Sequence, residues 1–394
     1  MGVVADCVAR YATRLHAAAG ERHHVASPLG AWLLLALSGP ASHGADRDTL
    51  TEVLGCDVDA AAATAAELLA EPHPLVAAAA AVWTASWFQP TADFRRWQAG
   101  LPAAVSSGEL PGQAGLDAWA REHTFELIDR FPVDVGMETL VVLASALATK
   151  VSWQQPFQLA PASSLGANPW ARELSRVLVT PRGPGHRQFI AATPDTGDVI
   201  VHSAAAAGGL VVVSVAAQPG VESGRVLSAA HAIGHRLATG SGVEQRDLGS
   251  LPLGESQLWV MREVVAPADS CTAVLPAWSA SSEQVLTNPE LGFVAAKRAL
   301  VPDDGPWDAK QTAMARYSRT GFEAAAVTAF GVGVAARIPG QRRHAELRFG
   351  HPYAVVALVQ DETSRWHGLP VFSAWVSEPE DATDDQPEAS AQPL

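Results

Sequence analysis

The sequence predicts an α+β fold with antiparallel or mixed sheets. Three observations point there. Helical periodicity dominates the early part of the chain, apolar β-branched runs dominate the later part, and no repeat of fixed period is visible. A doubly wound βαβ fold would alternate helix and strand along the chain, and this chain does not.

Val4, Val8, Tyr11 and Leu15 recur at helical spacing among Asp6, Arg10 and Arg14. They predict an amphipathic helix that belongs to the fold, not the apolar core of a signal peptide. Ser27-Pro28 opens a second helix, with proline in the first turn where its missing N–H costs nothing. Ala31 to Leu37 is apolar all round, so this helix is buried; Gly39-Pro40 ends it. Asp48 to Leu54 predicts a short helix stopped by Gly55. Val76 to Phe88 reads as a strand leading to a surface segment with Phe94, Trp97 and Leu101. The apolar run there is too short to span a bilayer. Leu116, Trp119, Ala120, His123, Leu127 and Phe131 predict a helix over 116–131. Thr139 to Val151 reads as a central strand with both faces buried. From about Pro161 to Gly254 the chain is rich in Gly, Ala and Ser. Val199–Val201 and Leu210–Val215 are strands there, and Arg182–Gly185 is a turn. Val274–Trp278 is a further strand and Asn288–Leu300 a helix. Tyr353–Val359 and Val371–Val376 form a C-terminal hairpin about a polar turn near Asp361–His367.

The chain has 394 residues, 48% hydrophobic and 17% charged, which is ample for a large core. Lys and Arg number 27 against 41 Asp and Glu, a net charge of −14. That balance repels phosphate backbones, so nucleic acid is not an expected partner, and no membrane segment is seen. Six acids and no base lie between Glu378 and Leu394. This predicts one domain over 1–379 and a solvated, disordered tail over 380–394. Cys7, Cys56 and Cys271 are odd in number, far apart and without a C-x-x-C. They read as buried free thiols, neither a disulfide framework nor a zinc site. Reduced thiols and the missing signal peptide fit a cytoplasmic location; the alternative is export by a non-standard route.

Enzyme signatures are absent. There is no G-x-S-x-G, Gly331-Val-Gly333 lacks the third glycine of a dinucleotide loop, and no P-loop lysine occurs. His23-His24 are adjacent, share no helix face and read as a polar turn between helices. No residues are singled out for catalysis, metal binding or a cofactor.

Several stretches, in order, resemble the serpin family of serine protease inhibitors. Ser27-Pro28-Leu29-Gly30-Ala31 resembles the opening of its second helix, and Trp119, Thr124 and Ile128 the helix crossing its main sheet. Ala144-Ser145-Ala146 with Lys150-Val151-Ser152-Trp153 and Pro156-Phe157 resembles the sheet strand that ends in the breach tryptophan. Val274-Leu275-Pro276, Leu291-Gly292-Phe293 and Phe349-Gly350-His351-Pro352-Tyr353 resemble later family segments. Val376 and Pro379 match the close of the C-terminal hairpin. Gly321-Phe322-Glu323-Ala324-Ala325-Ala326 looks like the family's hinge, with Phe322 where Thr or Ser is usual. Gly30, Ser145 and Gln311 stand where a Ser, an Asn and a His are common in the shutter beneath the sheet.

The resemblance implies a divergent, bacterial-type, monomeric serpin with three β-sheets, eight or nine helices and an exposed reactive loop over about 321–348. A protease attacks the loop, and the cleaved loop inserts into the main sheet as a new strand, trapping the acyl-enzyme. Counting from Gly321 places the reactive bond at Ala335-Ala336, which suits an elastase- or subtilisin-like serine protease. The alternative is Arg337-Ile338, which suits a trypsin-like one. Trp153, Lys150, Ser27 and Ser145 are the breach and shutter residues implied. Inserted as a strand, Phe322, Ala324, Ala326 and Thr328 share the inward face. Arg337, Arg342, Arg343 and Arg348 form a local basic stretch that either steers an acidic protease or is simply solvated. The rival is a non-inhibitory member, a binding or structural protein whose loop is cleaved without trapping.

Overall fold

The computed structural model describes residues 2–136, 138–301, 307–322 and 340–384. Helix α1 (Gly2–Ala19) leads through β1 (His24–Ala26) to α2 (Pro28–Ser38), α3 (Gly44–Leu54) and α4 (Val58–Ala70). Then follow β2 (Val76–Thr84), α5 (Ala92–Ala99), β3 (Val105–Glu109), α6 (Gln113–Glu122), β4 (Val141–Thr149) and β5 (Val151–Ser152). The middle holds β6 (Gln158–Pro161), α7 (Trp170–Glu173), β7 (Arg176–Val179), β8 (His186–Thr193), β9 (Gly197–Ala205), β10 (Leu210–Ala216) and α8 (Ser223–Ala238). Next are β11 (Gly254–Glu255), β12 (Trp259–Ala266), β13 (Ser270–Leu275), β14 (Trp278–Val285), α9 (Phe293–Leu300) and β15 (Lys310–Tyr317). Last come β16 (Gly321–Phe322), β17 (Gly340–Arg348), β18 (Tyr353–Val359) and β19 (Pro370–Val376).

Helix α2 is the axis of the core. The Ser27 hydroxyl caps it by accepting from Gly30 N–H, Pro28 sits in its first turn, and every residue from Pro28 to Ser38 is buried. Helix α3 stops where Gly55 takes a φ of 73°, a left-handed cap that favours glycine.

One six-stranded sheet runs β1-β19-β18-β10-β9-β8. Val211, Val213, Val215, Ala354 and Val356 pack on α8, while Val212, Val355 and Ala357 face the main core. Burial on both faces is why these strands are unbroken apolar runs. A second sheet runs β11-β12-β17-β13-β7-β6. The third is split into β3-β2-β4 and β14-β15-β16-β5. The predicted hairpin and the Val-rich strands of the middle segment are present.

Four expectations change. The helix predicted over 116–131 ends at Glu122, and Phe125 and Glu126 take left-handed φ values of 53° and 61°. The later apolar residues keep helical spacing because they cover the sheet: Phe131 packs against Trp83 and Trp119 at 6.3 Å. The strand read at Val274–Trp278 is two strands, β13 and β14, separated at Pro276. The helix read from Asn288 begins only after Gly292, which has a φ of 83°. The tail does not leave the fold at residue 380. Glu380 N–H donates to Ala277, Asp381 accepts from the amides of Ser175 and Arg176, and Ala382 is buried. Among the described residues no helix is long and apolar enough to cross a membrane.

Candidate functional site

The split in the third sheet is the most distinctive feature of the molecule. Among the described residues, strand β4 pairs with β2 on one side only, from Thr84↔Val141 to Val76↔Thr149. Its composition predicts a central strand, yet among the described residues its other edge borders a gap. Beyond Lys150 the chain continues as β5, and there the gap is filled. Gly321 and Phe322 of β16 pair with Ser152 and Val151 on one side, and Phe322 pairs with Tyr317 of β15 on the other. Both pairings are antiparallel, so β5 and β15 run parallel to each other with β16 reversed between them. Below β16 the gap opens into a cavity of about 600 Å³, with Leu143, Ser145 and Leu147 on one wall and Lys310, Gln311 and Thr312 on the other. Each wall presents a strand edge, the geometry that accepts an added strand.

The floor of this slot is the N-terminal turn of α2, which is tied to both walls. Gln311 on β15 accepts from Ser27 N–H at 2.9 Å and donates to Ser27 O at 2.9 Å. Ser145 on β4 donates to Gly30 O at 3.0 Å. The Ser27 hydroxyl donates to Val371 O at 2.9 Å, fastening the turn to β19. A Cβ on Gly30 would lie 3.2 Å from Ser27 Oγ, 3.3 Å from Leu147 Cδ1 and 3.4 Å from Ser145 Oγ. Glycine is thus the residue that lets β4 sit this close to α2.

At the top of the slot, Trp153 holds the turn that feeds the chain into the sheet. Its indole N–H donates to Ser318 O at 3.0 Å and its backbone N–H to Thr320 O at 3.0 Å, and the side chain is fully buried. Phe157 N–H takes Arg319 O at 2.9 Å. Behind the turn lies a buried relay that sequence reasoning missed. His186 Nε2–H donates to Gln155 O at 2.7 Å, which leaves Nδ1 to accept from His202 Nε2–H at 3.0 Å. His202 Nδ1 then accepts from the Tyr317 hydroxyl at 3.4 Å. The tautomers follow from the carbonyl at one end and the phenol at the other. Burial holds His202 well below the ordinary imidazole range, His186 adding to it, and burial also lowers His186. Both rings are neutral. No spacing rule links residues 186, 202 and 317, which three strands bring together.

The structure places Ser27, Ser145 and Gln311 at the floor of the slot and Trp153 at its top. Lys150 is exposed at the break between β4 and β5 and joins neither group. Of the residues that resemble a hinge, Gly321 and Phe322 form β16. Phe322, which stands where Thr or Ser is usual in the family, is in the sheet, 3% exposed, with Trp278 edge-on at 6.3 Å. Glu323, Ala324, Ala325, Ala326, Ala335, Ala336, Arg337 and Ile338 lie outside the described residues. The expected loop over 321–348 does not extend through its last part, because Gly340 to Arg348 is strand β17. The basic stretch is also broken up. Arg348 is buried in ion pairs with Glu255 at 2.6 Å and Glu346 at 2.9 Å, and Arg343 faces Glu263 at 3.8 Å. His23 and His24 are structural: His24 is buried in β1, and His23 caps the chain at Ser377 and Glu378. No cluster suited to a metal ion occurs among the described residues.

No family model and no curated protein matches the sequence. Solved structures match the fold. A highly specific serpin of the insect Tenebrio molitor is 16% identical, with a TM-score of 0.63 over 96% of this chain and 99% of that one. Human thyroxine-binding globulin complexed with its hormone is 13% identical, with a TM-score of 0.66 over 95% and 98%. Tengpin, a thermophilic serpin in its native state, is 13% identical, with a TM-score of 0.65 over 94% and 93%. At these identities the likeness is one of fold, and it extends over almost the whole chain.

Proposed function

We propose that this chain, whose fold is that of the serpins, inhibits serine endopeptidases by inserting its cleaved loop into the slot between β4 and β15. The observation that carries this reading is β16: Gly321 and Phe322 stand between β5 and β15, antiparallel to both. Extending the same register sets Ala324 opposite Thr149 and Ala315, Ala326 opposite Leu147 and Ala313, and Thr328 opposite Ser145 and Gln311. Small side chains thus meet the inward face, and a hydroxyl meets the polar floor. Strand β17, which follows the loop, is paired with β12 from Gly340 to Leu347 and with β13 from His344 to Arg348. It anchors the far end of the loop, so the strand can descend the slot only after the chain is cut. The chain is then a trap and not a catalyst, and it needs no cofactor.

The target is a serine protease with a shallow pocket if Ala335-Ala336 is cut, or a trypsin-like one if Arg337-Ile338 is. Incubation with a panel of both kinds, followed by denaturing gels and mass spectrometry of the released fragment, tests this. A covalent high-mass band is expected, with a fragment beginning at Ala336. Clean cleavage without a band favours the second reading, a binding protein. The similarity to a thyroxine-complexed globulin and the 600 Å³ cavity support that alternative.

A further inference from the structure

Cys7 and Cys56 are 49 residues apart in sequence, yet the fold brings them together. Cys7 lies on the inner face of α1, fully buried. Cys56 directly follows Gly55, the left-handed cap of α3, and is half-buried. Cys7 Sγ is 3.3 Å from Gly55 O, and Arg10 Nη2 reaches both Gly55 O at 2.9 Å and Cys7 Sγ at 3.4 Å. Cys56 Sγ lies on the same turn, 3.9 Å from Leu54 O. Cys271 is on β13, in a different sheet.

We propose that Cys7 and Cys56 form a disulfide that pins α1 to the turn between α3 and α4 when the chain meets a small-molecule disulfide such as oxidised glutathione. The first step falls to the more accessible thiol. Cys56 loses its proton to solvent, its thiolate attacks the glutathione disulfide, and one glutathione leaves as thiolate. Cys7 then gives up its proton, attacks Cys56 Sγ and expels the second glutathione as thiolate. Two protein thiols are oxidised and one disulfide is reduced to two thiols. Burial, and then the neighbouring Cys7, push the Cys56 thiol up to about 12. The exchange is therefore slow at neutral pH and quickens as pH rises. Closing a loop of about fifty residues restricts the unfolded chain and stabilises the folded one.

The test uses the full chain, kept reduced or incubated with oxidised glutathione at pH 8.5. Thiols titrated after denaturation are expected to fall from the chain's three cysteines to one. Peptide mapping should show Cys7 joined to Cys56, and the melting temperature should rise by about 5 °C. The Cys271→Ser variant should cross-link in the same way, and Cys56→Ser should not. Three persisting thiols, a glutathione retained on Cys56, or a link to Cys271 would each overturn the proposal. None of these readouts depends on protease inhibition.

Discussion

Ser27 serves the helix, the floor of the slot and the C-terminal hairpin at once. Its hydroxyl caps α2 and donates to Val371 O, while its backbone N–H and C=O are both taken by Gln311. Ser27→Ala should lower stability by about 1–2 kcal/mol, the worth of a cap plus a buried carbonyl left without its donor. A denaturant titration with an unchanged slope would measure it. Phe322 is the second residue on which much depends. It packs against Trp278 at the top of the sheet, so Phe322→Ala should cost roughly 3 kcal/mol and loosen the anchored start of the loop. Faster proteolysis after residue 322, with the rest of the chain intact, is the expected signature. If the variant resists proteolysis as the parent does, Phe322 is not the anchor.

Among the elements, β16 and the slot below it decide whether the loop can become a strand. If residues 323–339 form the proposed reactive loop, Ala324→Glu should leave the native melting curve almost unchanged. On insertion its carboxylate would enter the inward face between Thr149 and Ala315. There an unpaired charge costs several kcal/mol. Insertion races hydrolysis of the acyl-enzyme, so that cost slows trapping by orders of magnitude. The variant should be cut as a substrate, and the molar ratio needed for full inhibition should rise at least tenfold. Trapping at the parent's ratio would mean that the loop does not enter in the register set by Gly321 and Phe322.

At the scale of the whole molecule, two gaps in stability are expected. The first is between intact and cleaved forms. Filling the slot adds a strand bonded on both sides, so clean cleavage of the loop should raise the melting temperature by tens of degrees. No rise would show that the slot stays open. The second gap is with pH. His16 donates to His24, which donates to Arg22 O, and His16 accepts from Ser373, so both rings are neutral like His186 and His202. Burial lowers all of them. It also lowers His231 from the ordinary 6.5 to about 4, and neither nitrogen of that ring has a partner among the described residues. A folded-state value below the unfolded one means that stability is complete above about pH 6.5 and is lost as pH falls. For His231 the loss is about 1.4 kcal/mol per unit until pH reaches about 4. Melting curves at pH 7, 6 and 5 should therefore fall steadily, and His231→Leu should flatten the decline. A melting temperature that holds from pH 7 to 5 would contradict the buried, neutral histidines.

What the sequence determined by itself is what local chemistry encodes. Ser27-Pro28 and Gly55 mark helix ends because capping and left-handed glycine act within a few residues. The Val-rich runs marked strands buried on both faces, and the order of short motifs from Ser27 to Pro379 marked the fold they share. Tertiary structure alone decided the rest. A helical spacing over 116–131 covers two structures, because Phe131 returns to the sheet after the helix has ended. Strand β4 reads as central from its composition. That one of its edges has no neighbour among the described residues shows only in space, because an unpaired strand edge and a paired one differ in hydrogen bonds and not in side chains. The His186-His202-Tyr317 relay and the Cys7–Cys56 pair join residues from separate elements. No periodicity records such meetings, because they depend on where the packed core places each backbone.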